Sequence, residues 1–257
     1  MNKSKKLLLF LIAIGAIIFL IYQFRIGGES YPKIAQAIVY VIPLIPVFFG
    51  YDAFRFFGLK STQGKSVLLI ALAIACFLLG DVIWPFTGLA VVSVADIFWF
   101  LGYFLLYSGM IYAMRILQSH ILHDKKKLAI IVLGCIAVVF LYFNFVPLSW
   151  DKEIGTLENI TTAGYILADL VLAILSTIIL GIVFYGSYST FWILFTVGSL
   201  FRLVGDILYT LNYDLFQTGS MMELPWLFSY IFYAASFIML KAQTQKLVDS
   251  IAGSKKE

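Results

Sequence analysis

Eight apolar stretches, each about 20 residues long, constrain what this chain can fold into. A helix of about 20 residues crosses the roughly 30 Å of hydrocarbon in a bilayer, and a backbone in hydrocarbon must satisfy its polar groups within the segment. The stretches are too long for the strands of a membrane barrel and lack their two-residue alternation. They predict eight membrane-spanning helices, at about 7–24, 34–52, 66–86, 93–114, 128–147, 163–185, 190–212 and 224–240.

The composition agrees with an all-α, polytopic membrane protein. Hydrophobic residues make up 62% of the chain and charged residues 12%, whereas a soluble domain carries roughly 25% charged residues. We therefore interpret residues 1–257 as a single membrane domain. Cys76 and Cys135 lie within apolar stretches and predict no disulfide framework. The first stretch exceeds the core of a typical signal peptide, so we expect it to be retained as span 1.

Basic residues predict the orientation of the spans. Of the 18 lysine and arginine residues, 14 precede span 1, follow span 8 or lie in the connections after spans 2 and 4. Arg25, Lys33 and Lys152 lie in connections on the other side, and Arg202 lies within span 7. Because cytoplasmic loops carry an excess of positive charge, we expect both termini to be cytoplasmic in a cell-membrane protein, including a short tail at 241–257.

The sequence indicates an internal repeat. Gly-Asp at 80–81, in span 3, recurs as Gly-Asp at 205–206, in span 7, at an offset of 125, and three residues of span 4 recur in span 8 at an offset of 127. We interpret the chain as two four-helix units, at about 1–124 and 125–246. Because four is an even number, both units have the same membrane orientation, which is a parallel repeat. The matched pairs in spans 4 and 8 are Asp96 with Glu223, Trp99 with Trp226 and Tyr103 with Tyr230.

Charged residues inside the predicted spans mark a candidate site. A charged side chain at the bilayer centre costs about 2.5 kcal/mol or more, so it must face the bundle interior, pair or lose its charge. Asp81, Asp206 and Asp169 fall in the outer third of spans 3, 7 and 6. Arg202 lies four residues before Asp206, on the same helix face, which predicts a direct ion pair. Asp81 has no basic residue in its own span, so we expect it either to share Arg202 or to be protonated.

A stripe of an acid, a tryptophan and a tyrosine begins both span 4 and span 8, at positions i, i+3 and i+7. A carboxylate beside an aromatic face suits a cationic or amphipathic ligand. The same residue types are typical of helix N-terminal caps and of the interfacial aromatic belt, and both interpretations stay open here. The candidate ligand-binding residues are Asp81, Asp206, Arg202, Asp169, Asp96, Trp99, Tyr103, Glu223, Trp226 and Tyr230.

Two short segments, 80–84 and 93–103, carry a family resemblance. They read Gly-Asp-Val-Ile-Trp and Ser-Val-Ala-Asp-Ile-Phe-Trp-Phe-Leu-Gly-Tyr. They resemble the eight-span sensory regions that precede some diguanylate cyclases and histidine kinases, which carry a similar aspartate and an Ala-Asp-x-aromatic pattern followed by Gly-Tyr. The resemblance implies a sensory or accessory membrane module without an output domain, which would act through a separate signalling protein.

The Gly-Asp of span 3 and the aspartate of span 7 are also similar to those of the eight-span lysoplasmalogenase-like family. This similarity implies a membrane hydrolase of ether lipids, in which Asp81 and Asp206 would be catalytic. The histidine that this family carries in its fourth span has no counterpart at 107–110, where the sequence reads Tyr-Ser-Gly-Met.

Other chemistry is not indicated by the sequence. The two histidines, His120 and His123, lie in a basic loop, and we predict neither a metal site nor a cofactor. The first glycine of the GxGD pattern of intramembrane aspartyl proteases is absent from both Gly-Asp segments. No basic face interleaved with aromatic residues indicates nucleic-acid binding.

The sequence favours an integral membrane ligand-binding module of sensory type, with a polar pocket that opens outward. We expect it to contact membrane lipid and to bind a small-molecule or lipid ligand rather than to act as an enzyme. Two alternatives stay open: an intramembrane lipid hydrolase and a small proton-coupled transporter.

Overall fold

The fold is helical wherever the computed structural model describes the chain, at residues 3–88, 90, 92–116, 125–145, 150, 155–183 and 189–254. These residues contain no β-strand. They form nine α-helices, joined in places by short 3-10 turns. The helices are α1 (Lys3–Phe24), α2 (Tyr31–Val41), α3 (Leu44–Phe57), α4 (Thr62–Ile83), α5 (Ala95–Ile116), α6 (Lys125–Phe145), α7 (Thr156–Val183), α8 (Ser189–Leu211) and α9 (Leu224–Ser254).

Seven segments of the described chain are long and apolar enough to cross a membrane. They correspond to the predicted spans 1–4 and 6–8, and α2 with α3 forms one of them, Gly28–Phe57. Helix α6 covers the described part of the predicted span 5. The prediction of an all-α, multi-pass membrane protein is therefore confirmed, while the number of eight spans stays a prediction.

Contacts between helix ends fix the direction of the helices. Tyr22, near the end of α1, bonds to Glu223, just before α9. Asp52, near the end of α3, pairs with Lys241 in the second half of α9. One end of the bundle, which we call the distal end, therefore contains the ends of α1, α4 and α8. The starts of α2, α5, α7 and α9 lie at the same end. The start of α1 and the end of α9 lie at the opposite, proximal end.

Glycine lets two helix pairs approach closely near the distal end. A Cβ atom on Gly80 of α4 would lie 2.4 Å from Nε1 of Trp99 on α5. A Cβ atom on Gly205 of α8 would lie 2.4 Å from Nε1 of Trp226 on α9. Because real Cβ atoms do not come so close, only glycine leaves room for each indole, and the glycine of each Gly-Asp pair therefore positions a tryptophan beside the aspartate that follows it.

Two prolines interrupt the second span, Pro43 between α2 and α3 and Pro46 in the first turn of α3. Pro43 and Pro46 have no N–H group, so each leaves one carbonyl of the preceding turn without its usual donor. The chain crosses this break through a tighter bond, from Ile45 N to Ile42 O at 3.1 Å. Helix α2 is consequently a separate segment at the distal end.

Candidate functional site

The distal end of the bundle contains a cavity of about 110 Å³. Six helices contribute to its wall, namely α2, α4, α5, α7, α8 and α9. Most of the predicted ligand-binding residues line it, and the remaining three, Tyr103, Asp169 and Asp96, lie behind the wall in contact with lining residues. The predicted residues that line the cavity are Asp81, Trp99, Arg202, Asp206, Glu223, Trp226 and Tyr230.

Asp81, close to the end of α4, accepts hydrogen bonds from two aromatic side chains. Trp99 of α5 donates from Nε1 to Oδ1 at 3.0 Å. Tyr230 of α9 donates from its hydroxyl to Oδ2 at 2.7 Å. Each carboxylate oxygen of Asp81 is thereby held in place by a rigid ring from a different helix.

Asp206 of α8 has a matching set of contacts. Trp226 of α9 donates from Nε1 to Oδ1 at 2.7 Å, and the hydroxyl of Tyr103 of α5 lies 3.3 Å from Oδ2. Each aspartate thus binds a tryptophan from the next long helix of its own half of the chain and a tyrosine from the other half.

Arg202 is buried, and its charge is balanced within the wall. Its Nε donates to the hydroxyl of Tyr103 at 3.1 Å and lies 3.9 Å from Oδ1 of Asp169. Its guanidinium carbon lies 3.7 Å from the centre of the Phe77 ring. The predicted ion pair with Asp206 is therefore wrong, because the side chain of Arg202 reaches across the bundle to α5 and α7 instead of along α8.

Arg202 also makes no ion pair with Asp81. The oxygens of Asp81 are directed to Trp99 and Tyr230 instead. The expectation that Asp81 shares Arg202 by direct contact is therefore not met, and the alternative, a protonated Asp81, stays a prediction.

The hydroxyl of Tyr103 lies between two carboxylates. It is 2.5 Å from Oδ1 of Asp169 and 3.3 Å from Oδ2 of Asp206, and it also accepts a hydrogen bond from Arg202. A phenol carries one proton, so it donates fully to one acid at a time, and the shorter contact indicates Asp169. Asp169 is completely buried, and its Oδ2 has no hydrogen-bond partner in the described part of the chain.

Asp96 and Glu223 both make the contacts of helix caps. The backbone N–H of Ser93 donates to Asp96 at 2.5 Å, and that of Gly219 donates to Glu223 at 3.0 Å. Each acid also accepts a tyrosine hydroxyl: Tyr165 donates to Asp96, and Tyr22 donates to Glu223. Of the two acids, Glu223 lines the cavity and Asp96 does not.

An aromatic cluster in the cavity wall was missed by the sequence reasoning. The ring of Trp84 lies 5.7 Å from that of Tyr209 and 5.4 Å from that of Phe216. Trp226 lies 5.8 Å from Tyr209. The sequence held a signal for this cluster, because Trp84 and Tyr209 each lie three residues after the aspartate of a Gly-Asp pair.

The cavity adjoins a shallow depression beside α2. Gln36 of α2 and Thr218 of the α8–α9 connection line the cavity and also a shallow depression on the outer side of α2. Pro32, Lys33 and Tyr40 contribute to that depression. Helix α2, before the proline break, therefore contributes residues to both the cavity and the depression.

No group of three or more histidine, cysteine, aspartate or glutamate side chains that could hold a metal ion occurs among the residues whose structure is described. The loop with His120 and His123 lies outside those residues. No protein-family model, curated protein or solved structure matches this chain. Its function must therefore be argued from the geometry of the site.

Proposed function

We propose that this protein is a membrane-embedded ligand-binding module of sensory type, and that the distal cavity is its binding site. The observation that carries the proposal is the pair of carboxylates, Asp81 and Asp206, each in contact with a tryptophan N–H and a tyrosine hydroxyl at the wall of one cavity. Polar groups placed at a few positions in a concave, mostly apolar wall are typical of small-molecule sites. The resemblance of spans 3 and 4 to sensory regions adds the expectation of a separate signalling partner.

The chemistry of the wall favours binding over catalysis. Histidine, cysteine, serine and lysine are absent from the described residues that line the cavity, so carboxylates are its candidate general bases. Both oxygens of Asp81 already accept hydrogen bonds, and Asp206 accepts one from Trp226, so neither carboxylate has both oxygens free to position a water molecule. An intramembrane hydrolase that activates water with Asp81 and Asp206 is therefore a weaker proposal.

We further infer that the site is shared by two parallel four-helix repeats, at about 1–124 and 125–246. The crossed tyrosines support this, since Tyr230 binds the aspartate of the first half and Tyr103 contacts that of the second. Phe77 and Arg202, which the repeat matches at an offset of 125, also contact each other. The pseudo-two-fold axis would then pass between these two side chains. With both termini cytoplasmic, the cavity would open on the outer face of the cell membrane.

A ligand screen tests the binding function. The melting temperature of the purified chain in lipid nanodiscs would be measured with each member of a small-molecule library. The variants Asp81→Asn and Asp206→Asn would be measured in the same way. A ligand present at 100 times its Kd stabilises the folded state by about 2.7 kcal/mol, which raises the melting temperature. We expect this increase to be lost in both variants and kept in Asp52→Asn, which changes an acid at the proximal end. A compound that stabilises all four proteins equally would contradict binding in the cavity.

The contact of Tyr103 with two acids favours a second candidate, a proton-coupled transporter. Asp169 and Asp206 compete for one phenolic proton, so a further proton could be held between them during transport. In proteoliposomes, uptake of a ligand found in the screen would then rise with an inward proton gradient, and Asp169→Asn would abolish this dependence. Uptake that is absent, or equal with and without the gradient, would contradict transport.

A further inference from the structure

We propose that the ligand of the distal cavity is an organic ammonium ion. This inference rests on the proposed binding function and assigns the class of ligand. It follows from three observations on the described residues: the charges of the wall, its aromatic rings, and the size and opening of the cavity.

The cavity wall carries an excess of acid. Asp81, Asp206 and Glu223 line it, and Arg202 is the one basic residue among the described lining residues. Arg202 is already paired with Asp169, which lies behind the wall and is completely buried. Among the described residues, no basic group lies within ion-pair distance of the three lining acids, although Arg202 lines the same cavity. Burial of an unpaired charge is costly, so a positively charged ligand is the complement of this wall.

The aromatic rings of the wall suit an organic cation. Trp84, Tyr209, Phe216 and Trp226 pack against one another with ring centres 5.2 to 6.1 Å apart. Aromatic faces attract ammonium groups, and cages of such rings are the usual recognition sites for quaternary ammonium ligands. A calcium ion, by contrast, needs about six to eight oxygen ligands, and no group of three acids that could hold a metal occurs among the described residues.

The size and the opening of the cavity limit the shape of the ligand. A cavity of about 10–15 Å³ holds one water molecule, so 110 Å³ accommodates a compact cationic group. Because Gln36 and Thr218 line both the cavity and the depression beside Tyr40, we place the opening of the cavity there. An alkyl substituent on the ammonium group could leave the cavity there. A free ammonium ion and the cationic group of an amphiphile share this chemistry, and the test below separates them.

The test compares a cation with its uncharged isostere. Three of the five tryptophans, Trp84, Trp99 and Trp226, line the cavity, so tryptophan fluorescence reports on it. The full chain in nanodiscs would be titrated with choline, with 3,3-dimethylbutan-1-ol, which has the same shape without the charge, and with hexyltrimethylammonium. We expect choline to bind at least about tenfold more tightly than the alcohol. Hexyltrimethylammonium that binds a further tenfold more tightly identifies an amphiphile, and equal binding of the two cations identifies a free ammonium ion.

Variants locate the binding. Removal of one partner of a buried charge pair weakens binding by about tenfold or more, so we expect this loss for choline in Asp81→Asn and in Asp206→Asn. Asp52→Asn, at the proximal end, is the control and should bind like the unchanged chain. Tyr209→Leu removes a ring without touching an acid, and we expect it to weaken choline about threefold or more. The comparison of choline with the alcohol in the unchanged chain remains decisive even where an aspartate variant fails to fold.

Each result either supports or overturns the inference. Equal binding of choline and the alcohol, or choline binding unchanged by the aspartate and Tyr209 variants, overturns it. No binding of either cation also overturns it. If neither cation binds, the proposed binding function is still supported by neutral or anionic library compounds that raise the melting temperature in an Asp81-dependent way. The absence of any such compound would overturn the binding function as well.

Discussion

At the scale of residues, the guanidinium of Arg202 defines the interior of the site. It lies against the ring of Phe77 and bonds to Tyr103, and its ion pair is with Asp169 of another helix. The sequence predicted that Arg202 must find an acid inside the bundle, because hydrocarbon rejects an unpaired charge. It could not predict which acid, because helical spacing places Asp206 on the same face but does not say which neighbouring helix comes closest.

The Arg202–Asp169 pair gives a prediction at this scale. We expect Arg202→Met to lower the free energy of unfolding by about 3–5 kcal/mol, because it leaves a buried acid unpaired. Reversible chemical denaturation in mixed micelles would measure the loss. Lys241→Met is the matched control, because it breaks the exposed pair with Asp52, which is worth about 0–1 kcal/mol.

A second substitution makes this prediction sharper. The double variant Arg202→Met with Asp169→Asn removes both partners of the pair together, so Asp169 is no longer left as an unpaired charge and part of the stability should return. A double variant that is as unstable as the sum of the two single variants would show that the pair does not stabilise the fold.

At the scale of elements, α9 is the helix on which α1, α3 and α8 pack. It contacts α1, α3 and α8, and it carries buried residues over most of its membrane segment. Helix α1 exposes much of its surface and is joined to the start of α9 by the hydrogen bond from Tyr22 to Glu223, both of which are buried. This bond fixes the distal end of α1 beside the cavity.

Tyr22→Phe tests this attachment. A hydrogen bond to a charged group contributes about 1.5–3 kcal/mol, and we expect the variant to lose that amount while Glu223 keeps its bond to Gly219. Hydrogen exchange of the α1 amides should accelerate at the distal end of that helix. Tyr51→Phe, which removes an exposed hydroxyl, is the control and should leave both measurements unchanged.

At the scale of the whole molecule, the sequence predicted the helices better than their partners. The helical segments follow from apolar length, which the bilayer dictates. The acids gather at one end because charged residues avoid lipid, and seven of the ten predicted site residues line the cavity for this reason. The depression beside α2 could not be predicted, because it depends on how a proline break orients a short helix against a distant connection.

The orientation in the membrane gives the prediction at this scale. Lys60 lies in the proximal connection between α3 and α4, and Glu29 lies at the distal end. Both positions are exposed and suit the single-cysteine substitutions Lys60→Cys and Glu29→Cys. With cytoplasmic termini, an impermeant maleimide added to intact cells should label Glu29→Cys and not Lys60→Cys. Cell lysis should make both reactive. The reverse pattern in intact cells would place the cavity on the cytoplasmic side.

The contact between Phe77 and Arg202 has an evolutionary consequence if the two halves descend from one ancestor. In a dimer of identical subunits, residues on the symmetry axis meet their own copies. Two arginines would repel each other there, and two phenylalanines would offer the neighbouring acids no counter-charge. Fusion of the two units into a single polypeptide removes this restriction. Two different residues, such as Phe77 and Arg202, can then meet at the axis, but only after the gene has been duplicated and its two copies have diverged.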